Sequence, residues 1–168
     1  MATELYDITV PALLRGFASL SSILEKGRAF AEEKGLDPAT LLESRLAPDM
    51  APLTAQIQRC SDTAKGALVR LGGVETVAMP DTETSFDDLQ ARIAATVRFI
   101  EAVPRAAING KEDAPVVLQT PGGEFPFTGR SYVQGFVLPN FYFHLTIAYA
   151  LLRHAGVEIG KLDYLGKA

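Results

Sequence analysis

A chain of 168 residues, 48% hydrophobic and 21% charged, has the composition of a protein that buries a core, and its length fits one domain spanning residues 1–168. A formal charge of −4, with Lys and Arg scattered singly, leaves no basic stripe to neutralise phosphates and argues against a nucleic-acid partner. Met1 to Val10 carries Glu4 and Asp7 instead of a basic-then-apolar leader, no unbroken apolar run approaches the roughly 20 residues of a spanning helix, and the lone Cys60 suits a reducing compartment, so a soluble cytoplasmic protein is expected.

The first predicted element is a long amphipathic helix. Val10, Leu13, Phe17, Leu20, Leu24, Gly27 and Ala31 fall at alternating steps of three and four, with Pro11 placed in the first turn and Gly35 as the stop. Asp37-Pro38 then reads as an N-cap followed by proline at the first helical position, which opens a short helix over Ala39 to Glu43. A second long helix begins near Asp49 to Pro52, carries Leu53, Ile57, Cys60, Ala64, Ala67 and Leu71 on one face, and stops at Gly72-Gly73. From Val74 to Thr84 no helical period survives and Pro80 marks a connecting loop.

Ser85-Phe86-Asp87-Asp88 has the form of a capping box, which starts a third helix through Leu89, Ile93, Val97 and Ile100 that bends or ends at Pro104. Val116 to Gln119 and Glu124 to Phe127 are short runs of strand-forming residues joined by Pro121-Gly122-Gly123, a predicted hairpin in which Pro126 demands an edge or an outward position. The last helix offers two starts, a capping-box pattern at Ser131 to Gln134 or a first turn containing Pro139. The earlier start with a kink keeps Tyr132, Phe136, Pro139, Phe143, Ile147, Ala150 and His154 on one face. The tail from Val157 to Ala168 is apolar enough to pack back. Four amphipathic helices whose stripes must meet, with a small β-hairpin before the last of them, predict a mainly α protein built as a four-helix bundle.

The stretch Pro139-Asn140-Phe141-Tyr142-Phe143-His144-Leu145-Thr146-Ile147-Ala148-Tyr149, with Leu152-Arg153-His154-Ala155-Gly156-Val157 and Ile159-Gly160-Lys161, resembles the closing signature of a bacterial domain-of-unknown-function family within the DinB/YfiT-like four-helix bundles. Leu5-Tyr6-Asp7, Val10-Pro11 and the Leu53 to Ala67 helix with Gln56 and Lys65-Gly66-Ala67 fit the same pattern. The resemblance implies the bundle fold and, in the superfamily, a divalent metal held by three histidines for thiol-dependent transferase chemistry. This chain departs from that set. It has two histidines, His144 and His154, and ten helical positions separate them by about 15 Å and turn them to different faces. The second helix offers Gln56 and Cys60 where the superfamily has a histidine, and Asn140 is the residue one turn before His144. Amides are weak ligands for zinc or nickel, so neither metal nor cofactor is expected.

The candidate pocket therefore comprises Gln56, Cys60, Asn140 and His144, between the second and last long helices. The plainer reading of His144 is a satisfied, partly buried ring bonded to Asn140 or Gln56. A Cys60–His144 thiolate couple requires the two to meet, although Cys60 sits on the apolar face. His154 reads as a C-terminal cap, and Asp81, Glu83, Asp87 and Asp88 as loop and capping charges. Gly72-Gly73 and Gly122-Gly123 lack the lysine of a phosphate cradle and read as turns. Phe141, Tyr142, Phe143 and Tyr149 suit core or interface positions. Two functions follow: a non-catalytic module that binds a small molecule or another subunit, with a homodimer among its expected states, or a transferase-like or hydrolytic enzyme that keeps this pocket and uses His144 as acid or base, with or without a divalent metal.

Overall fold

The computed structural model describes residues 3–166, so Met1, Ala2, Lys167 and Ala168 lie outside the described residues. The elements in order are α1 (Leu5–Lys34), α2 (Ala39–Leu42), α3 (Leu53–Gly72), α4 (Phe86–Ala102), α5 (Arg105–Ile108), β1 (Pro115–Thr120), β2 (Gly123–Thr128), α6 (Gly129–Tyr132), a π-helical turn (Val133–Val137), α7 (Leu138–His154) and α8 (Lys161–Leu165). Helices α1, α4, α3 and α7 close a ring in which each packs on the next. Its centre is a continuous core that includes Leu13, Phe17, Leu20, Leu24, Leu53, Ile57, Leu68, Leu89, Phe141 and Leu145.

Side-chain pairs set the directions. Gly16 lies under Phe141 and Gly27 under Leu152, so α1 and α7 run parallel, and the missing side chains let the two helices approach. Gln56 meets His144 and Thr63 meets Asn140, which makes α3 antiparallel to α7. Gly72 at the end of α3 touches Ile108 just beyond α4, so α3 and α4 also run the same way. The bundle is therefore up-down-down-up, and the segment from Val74 to Thr84 must cross back along its whole length to start α4.

Local capping explains several boundaries as the sequence predicts them. Ser85 Oγ accepts from Asp88 N at 3.1 Å while Asp88 Oδ2 accepts from Ser85 N at 3.0 Å. Ala39 N donates to Asp37 Oδ1, and Gly35 ends α1 in the left-handed region. The hairpin pairs Thr120 with Gly123 across Pro121-Gly122, with Val117 opposite Pro126. The start of α1 differs from the expectation, because Leu5 N donates to Glu112 Oε1 and Tyr6 N to Asn109 Oδ1, both at 3.1 Å. These distant acceptors satisfy the orphan amides of the first turn and carry the helix a turn and a half upstream of Val10, leaving Pro11 inside it.

The last helix differs more. Its N-cap is Thr128, whose Oγ1 accepts from Ser131 N, so Ser131 is the reciprocal partner and not the cap. Gly129 follows because a Cβ there would strike the Lys111 carbonyl. Pro139 cannot donate to Gly135 and its ring would clash with that carbonyl; the preceding turn widens to a π turn, with Leu138 N bonding to Val133 O. The extra residue in that turn shifts the phase of everything after it. The buried face runs Tyr132, Val137, Phe141, Leu145, Ala148 and Leu152, while the predicted Phe143 is 53% exposed and Pro139 lies on the surface. Phe143, Ile147 and Ala150 are each one place before a buried residue.

The tail packs back as far as it is described. Val157 and Ile159 are buried, Asp163 pairs with Lys26 at 2.7 Å, and Tyr164 Oη shares a hydrogen bond with Thr146, although Leu162 projects into solvent. By length and mean hydropathy, 1.2 and 1.3, the helices Leu5–Lys34 and Gly129–His154 could each cross a membrane. Here their apolar residues, Phe17, Leu20, Phe141 and Leu145 among them, are spent on the bundle interior.

Candidate functional site

Between α3 and α7, beside the hairpin, the bundle leaves an open cleft of about 550 Å³. It is bordered on α3 by Arg59, Asp62, Thr63 and Arg70, on the last helix by Phe136, Asn140 and His144, and on the hairpin by Leu118, Thr120 and Pro121. The α3 residues fall at steps of three, one and seven, which places them along one stripe beside the apolar face.

The α7 end of the cleft is built on a relay. Gln56 Nε2 donates to the Ala51 carbonyl at 2.8 Å, which fixes the orientation of the amide and aims its oxygen at His144 Nδ1, also at 2.8 Å. The acceptor character of that oxygen puts the imidazole proton on Nδ1 and leaves Nε2 as a bare lone pair, with no partner among the described residues. His144 is 7% exposed, and burial, aided by the Arg59 guanidinium, lowers its pKa to about 4. At neutral pH the ring is uncharged. One turn away, Asn140 Nδ2 donates to Thr63 Oγ1 at 2.7 Å and Thr63 Oγ1 in turn donates to Arg59 O.

The other end is cationic. Arg70 Nη1 donates to Tyr132 Oη at 3.0 Å, and its guanidinium lies where a side chain on Gly66 would be. Among the described residues neither Arg59 nor Arg70 is in an ion pair. Asp62 lines the same cleft, but its carboxylate is taken up by Arg92 at 2.9 Å and Lys65 at 3.5 Å.

Of the residues the sequence singles out, Asn140 and His144 line the cleft and Gln56 supports His144 from behind. Cys60 stands apart. Its side chain is fully buried against the Phe141 carbonyl at 3.7 Å, and burial pushes the thiol far above its ordinary pKa, so it forms no thiolate couple with His144. His154 lies at the far end of α7. The sequence reading misses Arg59, Thr63 and Arg70, which a polar stripe at 59, 63 and 70, running beside the apolar one, could have indicated.

The donor set does not fit the superfamily's metal. It supplies one imidazole, two amides and a hydroxyl, the Gln56 oxygen is already spent on His144, and no three His, Cys, Asp or Glu side chains gather among the described residues.

A family model described as a domain of unknown function (DUF1993) matches residues 5–165. The crystal structure of a DinB family member protein from Shewanella denitrificans is 38% identical to this chain, covers 98% of it and 93% of its own length, and superposes with a TM-score of 0.88. No curated protein matches the chain.

Proposed function

The chain belongs to the DUF1993 family within the DinB-like superfamily, and from the chemistry of the cleft we propose that it is a small-molecule-binding bundle and not a metal-dependent transferase. The observation that carries this reading is the Ala51–Gln56–His144 relay, which holds a neutral imidazole with its free lone pair toward a cleft of about 550 Å³, within the ordinary size range of ligand sites. With a pKa of about 4 the ring is not an imidazolium acid at neutral pH, its one N–H is held by Gln56 and it is a weak base, which supports binding over acid–base catalysis. In the same reading residues 1–168 act as one domain in the cytoplasm, where the free Cys60 stays reduced. Exposed Phe143 is an aromatic that α7 offers to a homodimer.

The experiment has two arms. Protein loaded with zinc or nickel and then desalted should retain far less than one equivalent of metal, and a library of water-soluble fragments, uncharged and anionic, should shift the ring resonances of His144 and the side-chain amide of Asn140. Near-stoichiometric metal that is lost in His144→Ala, or a library that leaves both resonances unmoved, would overturn the proposal.

A further inference from the structure

The groups along the cleft have unspent bonding capacity of two opposite kinds. Arg59, one turn along α3 from Gln56 and so beside His144, offers a guanidinium that no carboxylate among the described residues engages. His144 Nε2 can only accept, because the Gln56 oxygen holds the proton on the other nitrogen. Asn140 gives one N–H to Thr63, and its oxygen has no partner among the described residues. Asp62, the carboxylate on the same border, is already held by Arg92 and Lys65. Between these groups the walls are carbon: Leu118, Pro121 and Phe136.

An anion with acceptors alone would satisfy Arg59 and turn a lone pair toward the lone pair of His144. A neutral molecule would satisfy His144 and leave the guanidinium to water. The molecule that matches both carries negative charge and a hydrogen-bond donor side by side. We propose that the cleft recognises a small organic acid with a hydroxyl next to its carboxylate, the carboxylate toward Arg59, the hydroxyl donating to Nε2 of His144 and the carbon chain against Leu118, Pro121 and Phe136. This rests on the reading of the cleft as a ligand site and adds the ligand's class.

The full chain is titrated with three matched pairs of acids, glycolate with acetate, lactate with propionate and malate with succinate, and with sulfate as an anion that has acceptors only. Binding is followed by calorimetry and by amide shifts on α3 and α7. At least one hydroxy acid is expected to bind about five-fold more tightly than its partner lacking the hydroxyl, and sulfate weakly. Arg59→Gln, at an exposed position that the fold does not depend on, should weaken the hydroxy acid about ten-fold. His144→Leu should erase the difference within each pair while leaving the affinity of the simple acid in place, a result that mere unfolding would not give. Sulfate or the simple acids binding as tightly as the hydroxy acids overturns the proposal, as does the absence of binding by all three hydroxy acids at millimolar concentration. Uncharged fragments that bind the cleft when no hydroxy acid does would leave the ligand-site reading standing and sink this one. If neither kind binds, both fall.

Discussion

Helix α3 borders two grooves, and the chain treats them in opposite ways. The groove toward α4 is filled by the returning segment Val74 to Thr84. Lys65 Nζ donates to Val77 O, Gln58 Nε2 to Glu83 Oε2, and Arg92, with its side chain 2% exposed, has carboxylates of Asp62, Asp81 and Glu83 each at 2.9 Å. Of the Arg92 guanidinium nitrogens, Nε lacks a partner among the described residues. The groove toward α7 has no such strap. There, among the described residues, the arginines have no carboxylate, an imidazole nitrogen and an amide oxygen have no donor, and the hairpin covers only part of the opening. Saturated charge in a filled groove is what a structural clamp requires, since a buried charge must be paired. Unsaturated polar groups in an open groove hold bonding capacity for something else.

The largest effect expected from this contrast lies in the clamp. Arg92→Ala leaves three carboxylates facing one another across the strap and should cost about 3 kcal/mol in urea unfolding, while Arg59→Ala on the open side should stay within about 0.5 kcal/mol. Equal losses at the two positions would erase the distinction between the grooves.

Acid separates them a second way. The unfolded chain protonates His144 below about pH 6.5. The folded ring resists until about pH 4, so its contribution is full above the upper value and is lost as pH falls through that window. The loss should be about 2 kcal/mol, short of the full linkage value because the ring borders open solvent. Glu83 titrates lower: burial pushes it up, but hydrogen bonds from Gln58 and Arg92 outweigh this and hold it below the usual carboxylate range. Its contribution is present above the unfolded carboxylate value of about 4.3 and disappears as pH falls through the lower folded one. His144→Asn, which places an amide nitrogen where Nδ1 sits, should flatten the stability curve of the upper window and leave the lower one unchanged. A curve that keeps its slope between pH 6.5 and 4 in this variant would show that another group produces it.

The same contrast explains what the sequence could and could not reveal. The Ser85 to Asp88 capping box, the Gly35 stop and the apolar stripe of α3 all depend on residues within a few positions of one another, and each is found where periodicity and capping chemistry place it. The start of α1 depends on Glu112 and Asn109, more than a hundred residues away, and no local rule reaches them. The face of α7 fails for a different reason. A strict helical period carried across Pro139 assumes the usual number of residues per turn, and the π turn adds one, so an aromatic read as core, Phe143, points outward. In the cleft, Gln56, Asn140 and His144 were legible because the resemblance to the DinB-like bundles implies a pocket between the second and last long helices. Arg59 and Arg70 were not, because a lone arginine on a helix surface carries no mark until the fold shows that no acid answers it.

The smallest effect is also the most discriminating. A Cβ at Gly66 would meet Arg70 Nη1, the far end of a flexible side chain, and no backbone, so Gly66→Ala can be accommodated by moving the guanidinium away. Alanine in place of glycine inside a helix should itself add about 0.5 to 1 kcal/mol of stability. If Arg70 serves the fold through its hydrogen bond to Tyr132, the displacement offsets that gain and thermal unfolding shows no increase. If Arg70 serves the cleft, the melting temperature rises while ligand binding in the cleft weakens. Stability and binding then move in opposite directions on one substitution, which is the behaviour expected of a groove whose polar groups are held unpaired for a ligand, and one that no residue of the Arg92 clamp should show.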